Sequence, residues 1–234
     1  MTQSMQFALD LQLCDVSTFD NFIVGNNQQT LQQLQMGLAE NTETCFYLTG
    51  PQQSGRSHLL QACCHQFGKH NKPAIYLPLE QHQQWHPSLV EGLEQYQLIC
   101  LDNIESIAGQ LEWEEALFHL YNRAKDNQVM MLCSSTISPH HLSLTLKDLQ
   151  SRLTWGLTLN LNPLEDTQKA QALQLRAKHR GLTLSDECAK YLLNHTSRNI
   201  TDLFNTLNLL DQASLEHQRK LTIPFINQIF KLHF

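Results

Sequence analysis

The chain has 234 residues, of which 41% are hydrophobic and only 16% charged, and its formal net charge is −6. A chain of this length buries a sizeable core, and it fits one large domain or a domain with a small appendage. The negative charge excludes a protein that coats nucleic acid through its phosphates, because that role needs clustered lysine and arginine. Any nucleic-acid role is therefore expected to be local or indirect.

The seven cysteines are scattered, and several lie inside apolar runs, as Cys100 and Cys133 do. They form no C-x-x-C framework, so they are interpreted as small buried hydrophobes in a reducing compartment. Residues 1–13 lack the basic and apolar regions of a signal peptide. No stretch approaches the roughly 18 apolar residues of a membrane span. These features predict a cytosolic protein.

Short apolar runs that alternate with helical patterns predict an α/β fold. The predicted strands are 45–49, 74–79, 98–102, 129–134 and 157–161, with amphipathic segments such as 57–69 and 112–126 between them. Apolar strands separated by helices imply a parallel sheet that is covered on both faces. We therefore expect a five-stranded parallel sheet flanked by helices.

After the fifth strand the pattern becomes helical. The predicted helices are 165–180, which ends at Gly181, one capped by Ser185, a long one around 200–216 and a short one after Thr222. The predicted domains are an N-terminal arm (1–17), an α/β domain (18–163) and a small all-helical domain (164–234).

Residues 50–57, GPQQSGRS, follow a predicted strand and open a helix, which is the context of a G-x-x-x-x-G-K-[ST] phosphate loop. The backbone amides of such a loop point at phosphate oxygens, and Ser57 is placed to ligate Mg²⁺. Arg56 replaces the lysine; it brings charge and a forked donor but cannot copy a lysine's point contact. A glycine turn that merely caps a helix is the alternative. We expect a loop that holds nucleotide better than it turns it over.

Residues 98–103, LICLDN, end an apolar strand in Asp102, as a Walker B carboxylate that holds Mg²⁺ through water would. The alternative is an aspartate that only forms a turn. Asn103 stands where an acid normally activates the attacking water, and an amide cannot accept a proton. Ser134, at the end of the fourth strand, is a candidate sensor of the γ-phosphate. This combination predicts weak hydrolysis of the chain's own ATP.

Arg152 lies far beyond the phosphate loop, just before the last strand. An arginine there cannot easily reach its own nucleotide but can reach a neighbour's; a surface arginine at a helix end is the alternative. His82 and His86 are four residues apart, but they lack the glutamate of H-E-x-x-H and precede Pro87, so surface or loop positions are expected rather than a metal site.

In this order the motifs resemble the AAA+ superfamily and, within it, the DnaA branch of replication initiators. TFDNFIVGNNQQ (18–29) is similar to the motif that lines the adenine pocket, LICLDNIESIAG to the Walker B block, and SRLTWGL to box VII with its arginine finger. LYNRA, QALQLRAKHRGL and QRKLTIPFINQI extend the resemblance over nearly the whole chain, to the Hda family of DnaA-related regulators that inactivate the initiator.

The resemblance implies a set of site residues. The expected nucleotide-binding residues are Val24, Gly50, Gln53, Ser54, Gly55, Arg56, Ser57, His58, Asp102, Asn103 and Ser134, with Ser57 and Asp102 as ligands of a possible Mg²⁺. ADP or ATP is the expected cofactor, with ADP favoured. Arg152 is the expected arginine finger in trans. Thr201 stands where a lid sensor arginine is expected, and Arg198, about one helical turn earlier, is the candidate substitute.

The segment QFALDL resembles the clamp-binding motif of that family. The expected clamp-binding residues are Gln6, Phe7, Leu9 and Leu11, while Asp10 departs from the proline often found there. The implied function is a nucleotide-bound adaptor that binds the DNA-loaded sliding clamp and stimulates hydrolysis of DnaA-bound ATP, which prevents re-initiation.

The implied partners are DnaA and the clamp's β subunit, with DNA reached through the clamp, no membrane, and an open possibility of homo-oligomers. The implied location is the cytoplasm, at the nucleoid. The alternatives are a helicase- or clamp-loader-type ATPase acting on its own nucleotide and, with a poorer fit, a metabolic P-loop kinase.

Overall fold

The computed structural model describes residues 17–40 and 44–233. Five strands form one sheet in the order β2-β3-β4-β1-β5. The strands are β1 (Cys45–Thr49), β2 (Ala74–Pro78), β3 (Leu98–Asp102), β4 (Met130–Ser135) and β5 (Leu157–Asn160). Neighbouring strands among the first four pair in parallel, and the predicted α/β class with its five-stranded parallel sheet is confirmed. Each predicted strand lies within one residue of the observed one at either end.

Helices connect the strands and make up the C-terminal part. They are α1 (Gln28–Glu40), α2 (Arg56–Lys69), α3 (Leu111–Asp126), α4 (Lys147–Thr154), α5 (Asp166–His179), α6 (Asp186–His195), α7 (Ile200–His217) and α8 (Ile223–His233). Three short 3-10 turns between β2 and β3 were not predicted, because they have no hydrophobic period to reveal them. No helix of the described residues is long and apolar enough to cross a bilayer.

The contacts divide the chain into two compact units. The first contains nearly all of the sheet and helices α2 to α4; the second contains α5 to α8 together with Asp20–Gln33 and the glycine loop Gly50–Gly55. The predicted arm, α/β and lid boundaries stay predictions.

Strand register in the first unit brings polar side chains together at the carboxyl ends of the strands. Leu101 pairs with Cys133, so the next residues, Asp102 and Ser134, become neighbours. All residues of β1, β3 and β4 are buried, which is why the sequence shows continuous apolar runs rather than alternation. The fold therefore gathers the side chains of Asp102 and Ser134 where neighbouring buried strands end.

The core of the first unit packs α3 against the sheet, with Trp113 and Leu117 among its buried residues, and the core of the second unit joins α5 to α8. Burial of each such side chain contributes about 1.5–3 kcal/mol. The expected surface or loop position of His82 is wrong, because its side chain is only 5% exposed. Its ring nitrogens can be buried since they contact the Leu79 carbonyl and the Gln110 side chain.

Candidate functional site

The glycine loop in the second unit requires glycine at both motif positions. A Cβ on Gly50 would lie 2.6 Å from the carbonyl oxygen of Leu161, and a Cβ on Gly55 would lie 2.7 Å from the Phe22 ring. Gly55 also has a φ of +94°, which L-residues rarely adopt. The loop thus needs these glycines for its own packing, as well as for any approach of a ligand to its backbone.

Two residues at the loop carry buried polar atoms without a hydrogen-bond partner in the described structure: Ser54 Oγ and Arg56 Nη1. Arg56 begins α2 and is 6% exposed; its Nη1 lies 3.7 Å from Glu105 Oε1. A buried polar group without a hydrogen bond costs about 1–3 kcal/mol, and for Arg56 the ion pair with Glu105 offsets part of that cost. Donors without a hydrogen bond call for an explanation. Each is a donor of the kind that suits a phosphate: the Ser54 hydroxyl in the second unit and the Arg56 guanidinium in the first.

The segment before α1 is fixed by hydrogen bonds within the second unit. The Val24 carbonyl accepts the Asn27 N–H, and the buried Asn27 side chain donates to the Asn162 carbonyl at 3.0 Å while accepting the Asn162 N–H at 2.7 Å. In the first unit, His58 Nε2 lies 2.8 Å from the Thr18 carbonyl oxygen. The predicted adenine-pocket segment therefore has a defined backbone path at Val24.

Asp102 is buried at the end of β3, and both of its oxygens are occupied. Oδ2 accepts from the Tyr76 hydroxyl at 2.7 Å, and Oδ1 accepts from Ser134 Oγ. Ser57 also hydrogen-bonds to Tyr76, whose pKa is raised by burial and by the charge of Asp102. Tyr76 therefore stays a neutral donor that joins the two predicted Mg²⁺ ligands.

These residues fit a magnesium ion held in the way proteins usually hold it. The described residues contain no cluster of three or more His, Cys, Asp or Glu side chains that could form an all-protein metal cage. Mg²⁺ keeps several waters and takes one or two carboxylates plus substrate phosphates. Asp102 and the Ser57 hydroxyl match that donor set, and sequence reasoning missed Tyr76, which hydrogen-bonds to both.

Asn103 contacts a carboxylate that the sequence did not single out. Its Nδ2 donates to Glu80 Oε2 at 3.3 Å, its N–H donates to Ser134 Oγ at 3.2 Å, and its backbone is left-handed, with φ of +57°. Glu80 lies two residues after the end of β2, and β2 neighbours β3. Knowledge of that neighbour relation would have pointed to Glu80, because residues at adjacent strand ends lie side by side.

Glu105 is a second acid that was missed, although it lies within the motif itself. It accepts hydrogen bonds from the N–H and the hydroxyl of Thr136 at 2.8 and 2.7 Å. Burial alone would raise the pKa of Glu105, but these hydrogen bonds outweigh burial and lower it. Glu105 is thus a stabilised carboxylate that faces Arg56.

Arg152 lies in the last turn of α4 and contacts an aromatic ring. Its Cζ is 4.5 Å from the centroid of Trp155, and Lys125 Nζ is 5.1 Å from the same centroid. Among the described residues no carboxylate forms an ion pair with Arg152. The cation is therefore not neutralised within the part of the chain that the structure covers.

The start of lid helix α7 is hydrogen-bonded to the glycine loop within the second unit. Gln53, whose φ is +66°, accepts the Ile200 N–H at 3.1 Å, and Asn199 caps the next two residues. Arg198 lies 3.3 Å from Asp166 in an exposed ion pair. The side chain that links loop and lid here is therefore Gln53.

The predicted clamp-binding residues 6–11 lie outside the described residues.

Two family models and a relative match most of the chain. Residues 13–160 match the family model of the bacterial DnaA ATPase domain, and residues 166–230 match the model of the Hda lid domain. A protein of Haemophilus influenzae strain Rd, described as uncharacterized, is 42% identical over 97% of this chain and 99% of its own length.

Solved structures with the same fold include initiators and a motor. Domain III of Thermotoga maritima DnaA has a TM-score of 0.77 at 18% identity, covering 92% of this chain and 95% of that one. AMPPCP-bound DnaA from Aquifex aeolicus has a TM-score of 0.69 at 22% identity, and the match covers 87% of this chain and 68% of that one. The T. maritima RuvB branch migration motor has a TM-score of 0.70 at 13% identity, and the match covers 94% of this chain and 73% of that one. Together with the two family matches, this shows that the chain belongs to the Hda-type family of DnaA-related AAA+ proteins.

Proposed function

We propose that this protein is a nucleotide-holding regulator that stimulates hydrolysis of ATP bound to the initiator DnaA, with Arg152 as an arginine finger in trans. The observation that carries the proposal is the unneutralised guanidinium at the end of α4. Fingers supplied in trans contribute about 10³–10⁵-fold in well-studied GTPases. One arginine is therefore enough to convert a slow initiator ATPase into a fast one.

The residues around the chain's own nucleotide support holding rather than turnover. Asn103 has no proton-accepting group, and its side chain amide donates to Glu80. Asp102 is held by Tyr76 and Ser134 in a fixed orientation. In this proposal the Gly50–Gly55 amides bind phosphates, Asp102 and Ser57 orient Mg²⁺, and the bound nucleotide stabilises the fold.

The charges in the first unit favour ADP over ATP in this proposal. Arg56 is paired with Glu105, and Asp102 is a second buried carboxylate. At 3.7 Å the pair's attraction is about 4–5 kcal/mol at an effective dielectric of about 20, before desolvation is subtracted. Glu105 therefore competes with a third phosphate for the Arg56 guanidinium. The third phosphate of ATP then adds less binding free energy here than it would at a loop with a lysine.

The proposal includes binding of the DNA-loaded sliding clamp through Gln6, Phe7, Leu9 and Leu11, which rests on the resemblance of QFALDL to the family motif. Clamp binding would restrict the stimulation to newly replicated DNA and prevent re-initiation. Gln6→Ala is expected to remove the dependence of stimulation on the loaded clamp, measured as the ratio of rates with and without clamp.

The test is hydrolysis of DnaA-bound ATP in the presence of DNA-loaded clamp. Wild type should accelerate it, and Arg152→Ala should lose at least a hundredfold of the stimulation. Lys147→Ala is the matched control, because it removes one positive charge from the start of the same helix. Equal stimulation by wild type and Arg152→Ala would refute the trans-finger mechanism.

One observation favours the second candidate, an ATPase of the helicase or clamp-loader kind that acts on its own nucleotide. Glu80 places a carboxylate 3.3 Å from the Asn103 amide, next to the position that usually carries the general base. If Glu80 supplies that base, the isolated protein turns over ATP and Glu80→Gln abolishes the turnover. Under the favoured proposal the basal ATP turnover of wild type and of Glu80→Gln is negligible.

A further inference from the structure

Trp155 is an exposed aromatic side chain at the C-terminal end of α4. It is 59% exposed and does not belong to the hydrophobic core of the first unit. A tryptophan left this exposed contributes little to the free energy of folding, because burial of its large apolar surface is what stabilises. Its position therefore calls for an explanation other than packing.

Two cations lie over the Trp155 ring. The guanidinium carbon of Arg152 is 4.5 Å and the ammonium nitrogen of Lys125 is 5.1 Å from the ring centroid. Both distances fall within the roughly 6 Å range of cation–π attraction. No described carboxylate pairs with Arg152, so the indole contacts a guanidinium that has no ion pair in the described structure.

A restrained guanidinium is what a trans-acting arginine needs. An arginine side chain loses much rotamer freedom when it is immobilised against developing phosphate charge, and that loss lowers the rate. A ring that holds the guanidinium beforehand reduces the loss, while the N–H donors at the guanidinium's edge stay available to an anion. Such prior positioning affects the rate at saturation more than the affinity between the proteins.

We propose that Trp155 is a positioning residue for Arg152: it holds the guanidinium in the direction in which it is presented to the partner's phosphate, while Lys125 holds the ring. This inference rests on the proposed trans-finger function. The ring itself takes no part in the chemistry. It acts through Arg152 alone.

The experiment measures hydrolysis of DnaA-bound ATP, with DNA-loaded clamp, over a range of concentrations of this protein. Trp155→Ala is expected to lower the maximal stimulated rate about 5- to 20-fold, with the half-saturating concentration unchanged. Trp155→Phe should recover most of the rate, and Trp155→Leu should not, because leucine fills the space but has no π-face. Leu215→Ala, which removes another exposed apolar side chain, is the control and should leave the rate unchanged.

A double variant separates positioning from docking. If Trp155 acts only through Arg152, adding Trp155→Ala to Arg152→Ala lowers the rate no further. The inference is overturned if Trp155→Leu works as well as Trp155→Phe, or if Trp155→Ala raises only the half-saturating concentration, since both mark a docking contact.

The failures of the two proposals are distinguishable. If Arg152→Ala abolishes stimulation but Trp155→Ala keeps the full rate, only the positioning role is wrong. If Arg152→Ala itself keeps the full rate, the proposed function fails and the positioning role fails with it. Urea midpoints of all variants show that each is folded under the assay conditions.

Discussion

Replacing Glu114 is expected to weaken the helix that carries Arg152. Glu114 is fully buried in α3, and its carboxylate accepts three backbone N–H groups: Gly109 at 2.7 Å, Thr145 at 3.2 Å and Leu146 at 2.6 Å. Leu146 is the N-cap residue of α4 and makes no side-chain cap of its own. A carboxylate from α3 therefore holds the backbone at the start of α4 through the N–H groups of the N-cap residue and of the residue before it.

The expected loss in the free energy of unfolding follows from these three bonds. A hydrogen bond to a charged group contributes about 1.5–3 kcal/mol, and each buried donor left without a partner costs about 1–3 kcal/mol. Because water can reach part of the opened site, we expect Glu114→Ala to lose about 3–5 kcal/mol out of a typical total of about 5–15. Glu114→Gln should lose about half as much, since it keeps one acceptor oxygen.

Urea unfolding measures this effect as a lower midpoint at an unchanged slope. Glu115→Ala is the matched control, because Glu115 is the exposed neighbour on the same helix and surface changes usually stay within about 0.5 kcal/mol. If Glu114→Ala shifts the midpoint no more than Glu115→Ala does, the carboxylate does not hold the start of α4 and the reasoning is refuted.

Three further predictions concern the Gly50–Gly55 loop and the carboxylate of Glu105. Gln53→Ala removes the acceptor of the Ile200 N–H, so hydrogen exchange at the start of α7 should quicken about 5-fold, whereas unchanged exchange would disprove the link. Gly50→Ala brings a Cβ 2.6 Å from a backbone carbonyl oxygen, so the ADP affinity measured by calorimetry should fall at least tenfold. An unchanged affinity would mean that the loop backbone shifts to accommodate the methyl group.

The third concerns pH. Thr136 hydrogen bonds lower the pKa of Glu105 in the folded protein although burial opposes them. Glu105 therefore contributes stability that is present above its unfolded pKa and is lost as the pH falls through its lower folded pKa. Thr136→Val should therefore show a smaller decrease in the free energy of unfolding between about pH 6 and 3 than wild type does, measured by urea unfolding. Identical pH profiles of the two proteins would contradict this role of Thr136.

The sequence predicted what is local in the chain and missed what depends on sheet order. Asp102 and Ser134 were found because each ends an apolar run, and the glycine loop was found because its spacing is contiguous. Tyr76 and Glu80 were missed, since their importance arises only when β2 lies beside β3. Glu114 looked like one more acid of an amphipathic helix, and nothing local indicates that it binds a backbone 31 residues away.

Helix α3 contacts α4 at both ends, so residues of α3 are expected to act on Arg152 from a distance. Glu114, Leu117, Tyr121 and Lys125 recur at intervals of three and four residues, so they share one face of α3. Glu114 binds the start of α4, and Lys125 lies over the Trp155 ring at its end. Leu117 and Tyr121, between them, are buried in the core. Variants along this face should therefore lower trans stimulation even where ADP binding is intact. Variants of the Gly50–Gly55 loop should instead lower ADP affinity before they lower trans stimulation. That separation is the signature expected of a protein that holds one nucleotide and acts on another.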